Sequence, residues 1–111
     1  MNYRVSTIDQ FERDARRLAR KYPSLVGEIG QLIAELKATP TLGTAIGKKC
    51  FKIRLKITSK SKGSSGGARV ITCVVAVSET VFLLSIYDKS EQENISDKRL
   101  TELLQLLPPR E

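Results

Sequence analysis

The chain has 111 residues, of which 41% are hydrophobic and 28% charged, and these proportions are typical of one globular domain. It holds 19 lysines and arginines, 12 acidic residues and no histidine, so its net charge is +7 at pH 7. The absence of histidine excludes Ser-His-Asp and Cys-His catalysis, HExxH zinc sites and paired-histidine ribonuclease chemistry.

The first predicted elements are a short strand and an amphipathic helix. Residues 3–5 alternate weakly between apolar and polar, as a short strand does. Apolar side chains then recur at helical spacing over residues 8–22, and Thr7 and Gln10 have the spacing of a capping box. The arginine-rich opposite face of this helix is either solvated or a second surface for a polyanion.

A second helix is predicted between Ser24, which can cap its start, and Pro40, which ends it. Only a short break separates the two helices, so we expect an antiparallel hairpin whose apolar stripes face the core. Residues 41–47, which include two glycines, are predicted to be a loop.

The stretch from Lys48 to Arg69 contains eight basic residues and no acidic one. Its charge of +8 exceeds that of the whole chain, which predicts an anionic partner such as a phosphate backbone. A solvated basic hairpin is the alternative. Within it, apolar residues alternate with Lys52, Arg54 and Lys56, as in a strand with one buried face. These cations would stand about 6.6 Å apart, close to the phosphate separation along a nucleic-acid strand.

The second half of the chain predicts two interior strands and a last helix. Residues 59–68 form a flexible basic connection, and residues 69–77 and 81–87 are apolar on both faces, as in strands inside a sheet. Arg69 begins one strand and Tyr87 ends its antiparallel neighbour, so both should lie at one end of the sheet with Arg54 or Lys56. Tyr87 is otherwise an aromatic at the core edge. Ser96 or Asp97 caps a short amphipathic helix that ends at Pro108.

Two features bear on the compartment. The longest apolar run is too short for a membrane span, and the first residues lack the apolar core of a signal peptide. We therefore expect a cytoplasmic protein with no membrane partner. Cys50 and Cys73 have no CxxC spacing and are interpreted as reduced structural thiols, with a nucleophile or a disulfide as the lesser options.

Two motifs coincide in this order of elements: Ser59-Lys60-x-Lys62-Gly63-x-x-Gly66-Gly67-Ala68-Arg69-Val70-Ile71 and Phe82-Leu83-Leu84-x-Ile86-Tyr87-x-Lys89-x-Glu91. Together they resemble the RelE/HigB-like toxins of bacterial type II toxin–antitoxin systems, within the RelE/ParE superfamily. The resemblance implies a single small α+β domain over residues 1–111. In it, an N-terminal strand and a helical hairpin pack on an antiparallel β-sheet, followed by a short C-terminal helix.

The resemblance also implies a function. Such toxins are endoribonucleases that cut messenger RNA on the ribosome without a metal or cofactor, because the ribose 2′-oxygen attacks the adjacent phosphate. It implies three further partners: the ribosome with its mRNA, a cognate antitoxin that neutralises the toxin, and operator DNA bound only through the antitoxin complex. We expect an acidic antitoxin segment to cover the basic face or the final helix.

The candidate catalytic residues are Lys52, Arg54, Lys56, Arg69, Tyr87 and Lys89, and the candidate RNA-binding residues are Lys48, Lys49, Lys60 and Lys62. Arginine stays protonated and suits the phosphate oxygens. A lysine is a proton acceptor only once it is deprotonated, which neighbouring cations favour. The tyrosine is a base, an acid or a stacking platform, and Lys89 suits the leaving oxygen. The sequence does not divide these roles.

Two other functions stay open. A ParE-like poison would bind gyrase without a ribonuclease site and would cause DNA-damage signalling without RNA cuts. A non-catalytic RNA-binding module would show salt-dependent RNA binding and no toxicity.

Overall fold

A computed structural model of the chain describes residues 2–60 and 67–108. Five strands, three α-helices and one 3₁₀ turn follow one another in the order β1 Arg4–Thr7, α1 Asp9–Lys21, α2 Leu25–Ala38, β2 Thr44–Gly47, β3 Cys50–Leu55, β4 Ala68–Val75, the turn Ala76–Ser78, β5 Thr80–Asp88 and α3 Asp97–Leu104. This is the expected α+β class.

The strands form one mixed sheet in the order β1-β5-β4-β3-β2. β4 and β5 lie inside the sheet, which confirms the interpretation of their continuous apolar runs. All pairings are antiparallel except one, because β1 lies parallel to β5 with Arg4 opposite Thr80. The expected antiparallel sheet therefore has one parallel edge, which follows from the two helices that separate β1 from the rest of the sheet in sequence.

The core lies between the helical hairpin and the sheet. α1 packs on β5, α2 packs on β1 and α1, and α3 also contacts β5. The predicted apolar stripes supply this core, whose largest fully buried side chains include Leu18, Leu25, Leu32, Leu36, Leu83, Leu100 and Leu103. In the described ranges, no helix is long and apolar enough to cross a membrane.

The prediction of a loop over residues 41–47 is wrong, because Thr44–Gly47 forms the edge strand β2. An edge strand pairs on one side only, so it needs no continuous apolar pattern. Its turn into β3 consists of Lys48 and Lys49, both with positive φ (56° and 62°). Two-residue hairpin turns favour this conformation, although glycine and asparagine adopt it more easily than lysine.

The helix starts differ in how well the sequence predicted them. β1 continues through Thr7, so α1 begins at Asp9 and the predicted capping box does not form; the Thr7 hydroxyl donates to the Glu12 carboxylate instead. Ser24 stands at the N-cap of α2, but its hydroxyl bonds to Glu28 rather than to the helix backbone. Ser96 caps α3 as predicted, accepting a hydrogen bond from the Arg99 amide at 3.1 Å.

Cys50 and Cys73 are thiols rather than a disulfide, and both are buried directly opposite each other on β3 and β4. The hydrogen bond with Cys73 and burial raise the pKa of the Cys50 thiol far above its usual range, against a smaller opposing effect of Lys48. A thiol that keeps its proton is a poor nucleophile. This agrees with the structural role expected for the two cysteines.

Candidate active site

Three strands align the central candidates in one row. Arg54 on β3 lies directly opposite Arg69 on β4, and Arg69 lies directly opposite Tyr87 on β5. Residues opposite each other on antiparallel strands share a face, with Cβ atoms about 4.5–5.5 Å apart. The row therefore joins segments far apart in sequence, at the end of the sheet that the sequence predicted.

A groove of about 370 Å³ opens beside this row, lined by Gly43, Thr44, Lys52, Arg54, Arg69, Lys89, Glu93 and Asn94. Lys52 reaches across it and donates to Asn94 Oδ1 at 3.2 Å. Gly43 has a φ of +102°, and a Cβ there would be 2.6 Å from the Lys52 carbonyl oxygen. Glycine thus lets the chain before β2 pass close to β3 and form one wall of the groove.

Four cationic side chains line this groove, and most of them lack a counterion. No ion pair in the described part of the chain involves Lys52, Arg54 or Lys89. Arg69 is only 6% exposed, and its guanidinium donates to the Ala68 carbonyl oxygen at 3.1 Å. Like charges held together at partly buried positions repel one another, so an anionic ligand here would be stabilised.

Within the row, the hydroxyl group of Tyr87 is in an unusual environment. The side chain is 4% exposed, and its hydroxyl is buried without a hydrogen-bond partner among the described residues. Burial raises the pKa of Tyr87, against a smaller lowering effect of Arg69. The phenol therefore keeps its proton at neutral pH and suits donation rather than proton abstraction. A buried hydroxyl without a partner costs stability, which makes it a candidate for contact with a ligand.

Gly67 lies just before β4 and holds the start of the strand that carries Arg69. Lys89 lines the groove and its amide donates to the Gly67 carbonyl oxygen at 3.1 Å. Gly67 has a φ of +47°, and a Cβ there would be 2.5 Å from the Leu55 carbonyl oxygen. Only glycine fits this approach without a shift of the strands, so Gly67 holds Arg69 in register with Arg54.

The other candidate lysines lie apart from the groove. Lys56 is exposed, just beyond the end of β3, and does not line it. Lys48 and Lys49 form the β2–β3 turn, at the opposite end of β3 from Arg54 and about 17 Å away along the strand. Lys48 donates to Thr101 Oγ1 on α3 at 2.8 Å. Lys48 and Lys49 therefore stay predicted RNA contacts, and Lys56 stays a predicted catalytic group.

Lys60 has a structural partner that the sequence did not indicate. Its ammonium group contacts Asp88 Oδ1 at 2.8 Å, with side-chain exposures of 12% and 0%. The Tyr22 hydroxyl and Ser90 also donate to the Asp88 carboxylate. The ion pair of Lys60 with Asp88 is observed, whereas the role of Lys60 as an RNA contact stays a prediction. Lys62 lies outside the described residues.

Burial raises the pKa of Asp88, but hydrogen bonds outweigh that effect. Those from Lys60, Ser90 and Tyr22 together hold the pKa of the carboxyl well below its usual range. The Asp88 carboxylate is therefore charged at neutral pH and balances the charge of Lys60. This pair joins the residues beyond β3, the end of β5 and the end of α1.

Sequence reasoning missed several groove residues, namely Gly43, Thr44, Glu93 and Asn94. The sequence does not indicate Glu93 and Asn94 because they lie beyond the second motif and no periodicity there predicts a fold back over the sheet. The glycines of the segment 41–47 were the available signal for Gly43. In the structure, a group of three or more cysteine or carboxylate side chains able to share a metal ion is absent from residues 2–60 and 67–108.

Comparison with known proteins gives the fold. No family model matches the sequence. A mutant of the E. coli toxin RelE in the free state superposes with a TM-score of 0.63 and 17% identity, over 95% of this chain and 97% of that one. A chain of the intact E. coli RelBE toxin–antitoxin complex gives a TM-score of 0.58 and 20% identity, over 76% of this chain and 93% of that one.

A third match is the RelBE2 toxin–antitoxin complex of Mycobacterium tuberculosis, with a TM-score of 0.56 and 15% identity over 79% of this chain and 92% of that one. The expected RelE-like fold is thus confirmed over nearly the whole chain. At these identities the likeness is one of fold.

Proposed function

We propose that this chain, which has the fold of RelE toxins, is the toxin of a type II toxin–antitoxin pair and a metal-independent endoribonuclease that cuts messenger RNA on the ribosome. The observation that carries the proposal is the row Arg54–Arg69–Tyr87 beside a groove of cations. A fold alone supports many functions, so the residues of this site must supply the chemistry.

The reaction is an in-line attack of the ribose 2′-oxygen on the adjacent phosphorus. A bond forms between the 2′-oxygen and phosphorus, the bond from phosphorus to the 5′-oxygen breaks, and a 2′,3′-cyclic phosphate and a 5′-hydroxyl result. The step needs stabilisation of charge at the phosphorane, a proton acceptor for the 2′-hydroxyl and a proton donor for the leaving oxygen.

Two of these needs match groups of the row. Arg54 and Arg69 are permanently charged, and each guanidinium can bind two non-bridging phosphate oxygens at once. The protonated Tyr87 hydroxyl, which has no partner among the described residues, is free to donate to the leaving 5′-oxygen. Lys52 and Lys89 add charge at the two sides of the groove.

The partners follow from the same charge. The ribosome presents messenger RNA as a single strand, which a shallow cationic groove can contact along its backbone. A cognate antitoxin with an acidic segment would neutralise the groove or the final helix, and operator DNA would be bound through that complex. Cytoplasmic location follows from these partners.

The test is induced expression of the wild type beside Arg69→Ala/Tyr87→Phe, with 5′-end mapping of cellular transcripts. The Phe substitution keeps the buried ring and removes only the hydroxyl. We expect codon-phased cuts with 5′-hydroxyl ends in translated RNA, absent in the double variant and present in a control, Arg20→Ala, that removes an exposed charge on α1. Growth arrest without cuts would favour a poison that acts by binding, and no arrest would favour an RNA-binding module.

A further inference from the structure

The groove contains one carboxylate that the proposed reaction has not yet used. Glu93 lies between β5 and α3, is exposed, and lines the groove with Lys52, Arg54, Arg69 and Lys89. It is the one acidic side chain among the described lining residues. Although these cations line the same groove, Glu93 forms no ion pair within the described ranges.

The residues on both sides of Glu93 are held by contacts. Glu91 pairs with Arg17 and Lys21 of α1 at 3.5 and 4.0 Å. Asn94 accepts from Lys52 at 3.2 Å through its side chain and from Gln92 at 3.1 Å through its carbonyl oxygen. The segment is therefore anchored to α1 before Glu93 and to β3 after it, so the carboxylate between them stays at the groove.

The proposed reaction still lacks a group that accepts the proton of the 2′-hydroxyl. Attack by the 2′-oxygen requires a group that accepts a proton at neutral pH. Arginine is always charged, and lysine must first lose a proton before it can accept one. The Tyr87 phenol is buried and protonated, and a threonine hydroxyl is a poor base. A carboxylate accepts a proton directly. The neighbouring cations bind the phosphate and also attract the carboxylate, which keeps the two groups close together.

We infer that Glu93 is the general base of the proposed cleavage, an inference that rests on the proposed function. One Glu93 oxygen takes the proton of the 2′-hydroxyl as the bond from the 2′-oxygen to phosphorus forms. The bond from phosphorus to the 5′-oxygen breaks, and that oxygen takes the proton of the Tyr87 hydroxyl. After product release, Glu93 gives its proton to water and Tyr87 regains one, so the cycle is balanced.

The experiment measures single-turnover cleavage by the purified full-length chain on ribosomes programmed with the mapped mRNA site. Glu93→Gln keeps the size and polarity of the side chain and removes its basicity. We expect the rate at saturating protein to fall by about 10²–10³-fold, within the range of general-base contributions. We also expect the rate of the wild type to fall toward acidic pH and the rate of Glu93→Gln not to follow this fall. Glu91→Gln is the matched control, since that carboxylate faces α1, and its rate should equal the wild type.

A second substrate separates the base from the acid. A sulfur in place of the scissile 5′-oxygen leaves as a thiolate without prior protonation. With it, Tyr87→Phe should regain the wild-type rate, whereas Glu93→Gln should stay slow.

Three outcomes would overturn the assignment. A Glu93→Gln rate equal to the wild type would do so, as would weaker binding with an unchanged rate and pH profile, which indicates a counterion for the lysines. Faster cleavage would indicate a carboxylate that repels phosphate. If the wild type cuts no RNA, the proposed function itself fails and the inference with it, whereas equal cleavage rates of the wild type and Glu93→Gln refute the inference alone.

Discussion

The basic stretch Lys48 to Arg69 supplies two regions of opposite character. At the groove, Lys52 and Arg54 approach other cations and, within the described ranges, form no ion pair. A few residues later, Lys60 is almost buried against the Asp88 carboxylate. Lysine thus lines an open groove in one place and forms an internal ion pair in the other.

The difference shows that charge density alone does not identify a functional cation. The two regions differ in how far partners balance their charges. The Asp88 carboxylate accepts four hydrogen bonds, whereas the one carboxylate among the described groove residues forms no ion pair with a described residue. A compensated pair should matter for stability and an uncompensated cluster for ligand binding. Substitutions can test this division, because the two effects are measured separately.

The largest expected effect on stability comes from Asp88→Ala. It leaves the Lys60 ammonium group in a nearly buried position without its counterion, which costs about 3–5 kcal/mol of unfolding free energy. Urea unfolding of the variant measures the loss. The double variant Asp88→Asn/Lys60→Met removes both charges and should cost markedly less. Equal costs for the single and double variants would show that the pair is not the source of the effect.

Arg54→Ala should have the opposite signature. The side chain is exposed, so we expect little change in urea unfolding. The loss of one fixed donor at the phosphate should reduce the cleavage rate by about 10²–10³-fold. Single-turnover cleavage of the mapped RNA site measures this, with exposed Arg20→Ala as the charge-matched control. A variant that unfolds easily but cuts normally would reverse the comparison.

The smallest effect is the dependence of stability on pH. The folded-state pKa of Asp88 is lowered, so its contribution is fully present above the unfolded pKa of about 3.9 and is lost as pH falls further. One such group changes the unfolding free energy by at most about 1.4 kcal/mol per pH unit. Urea unfolding at pH 5 and pH 3 should therefore show a larger drop for the wild type than for Asp88→Asn/Lys60→Met. Parallel drops would assign the acid sensitivity to other carboxyl groups.

The sequence predicted most of the fold because periodicity reports burial. Alternation along residues 51–57 identified β3, and continuous apolar runs identified β4 and β5 as interior strands. Periodicity did not identify β2, because the register of this strand is set by pairing with β3 rather than by an apolar pattern. The predicted capping box at the start of α1 was also wrong, because Thr7 pairs with Leu83 as the last residue of β1.

The site was predictable only in part. Antiparallel geometry gave the meeting of Arg69 with Tyr87, since it follows from where strands begin and end. The pairing of Lys60 with Asp88 and the entry of Glu93 into the groove depend on how irregular segments fold back over the sheet. Such segments have no period, so a single sequence contains no signal for these contacts.

The parallel pairing of β1 with β5 has a consequence for the order of folding. It joins residue 4 to residue 80, so β1 has no sheet partner until most of the chain has been synthesised. Contacts of such long range also form slowly, because the intervening chain must be closed into a loop first. The groove, too, is incomplete until Lys89, Glu93 and Asn94 have been synthesised. A nascent chain therefore lacks a finished groove, so under the proposed function the ribosome that makes the protein would be protected from cleavage during synthesis.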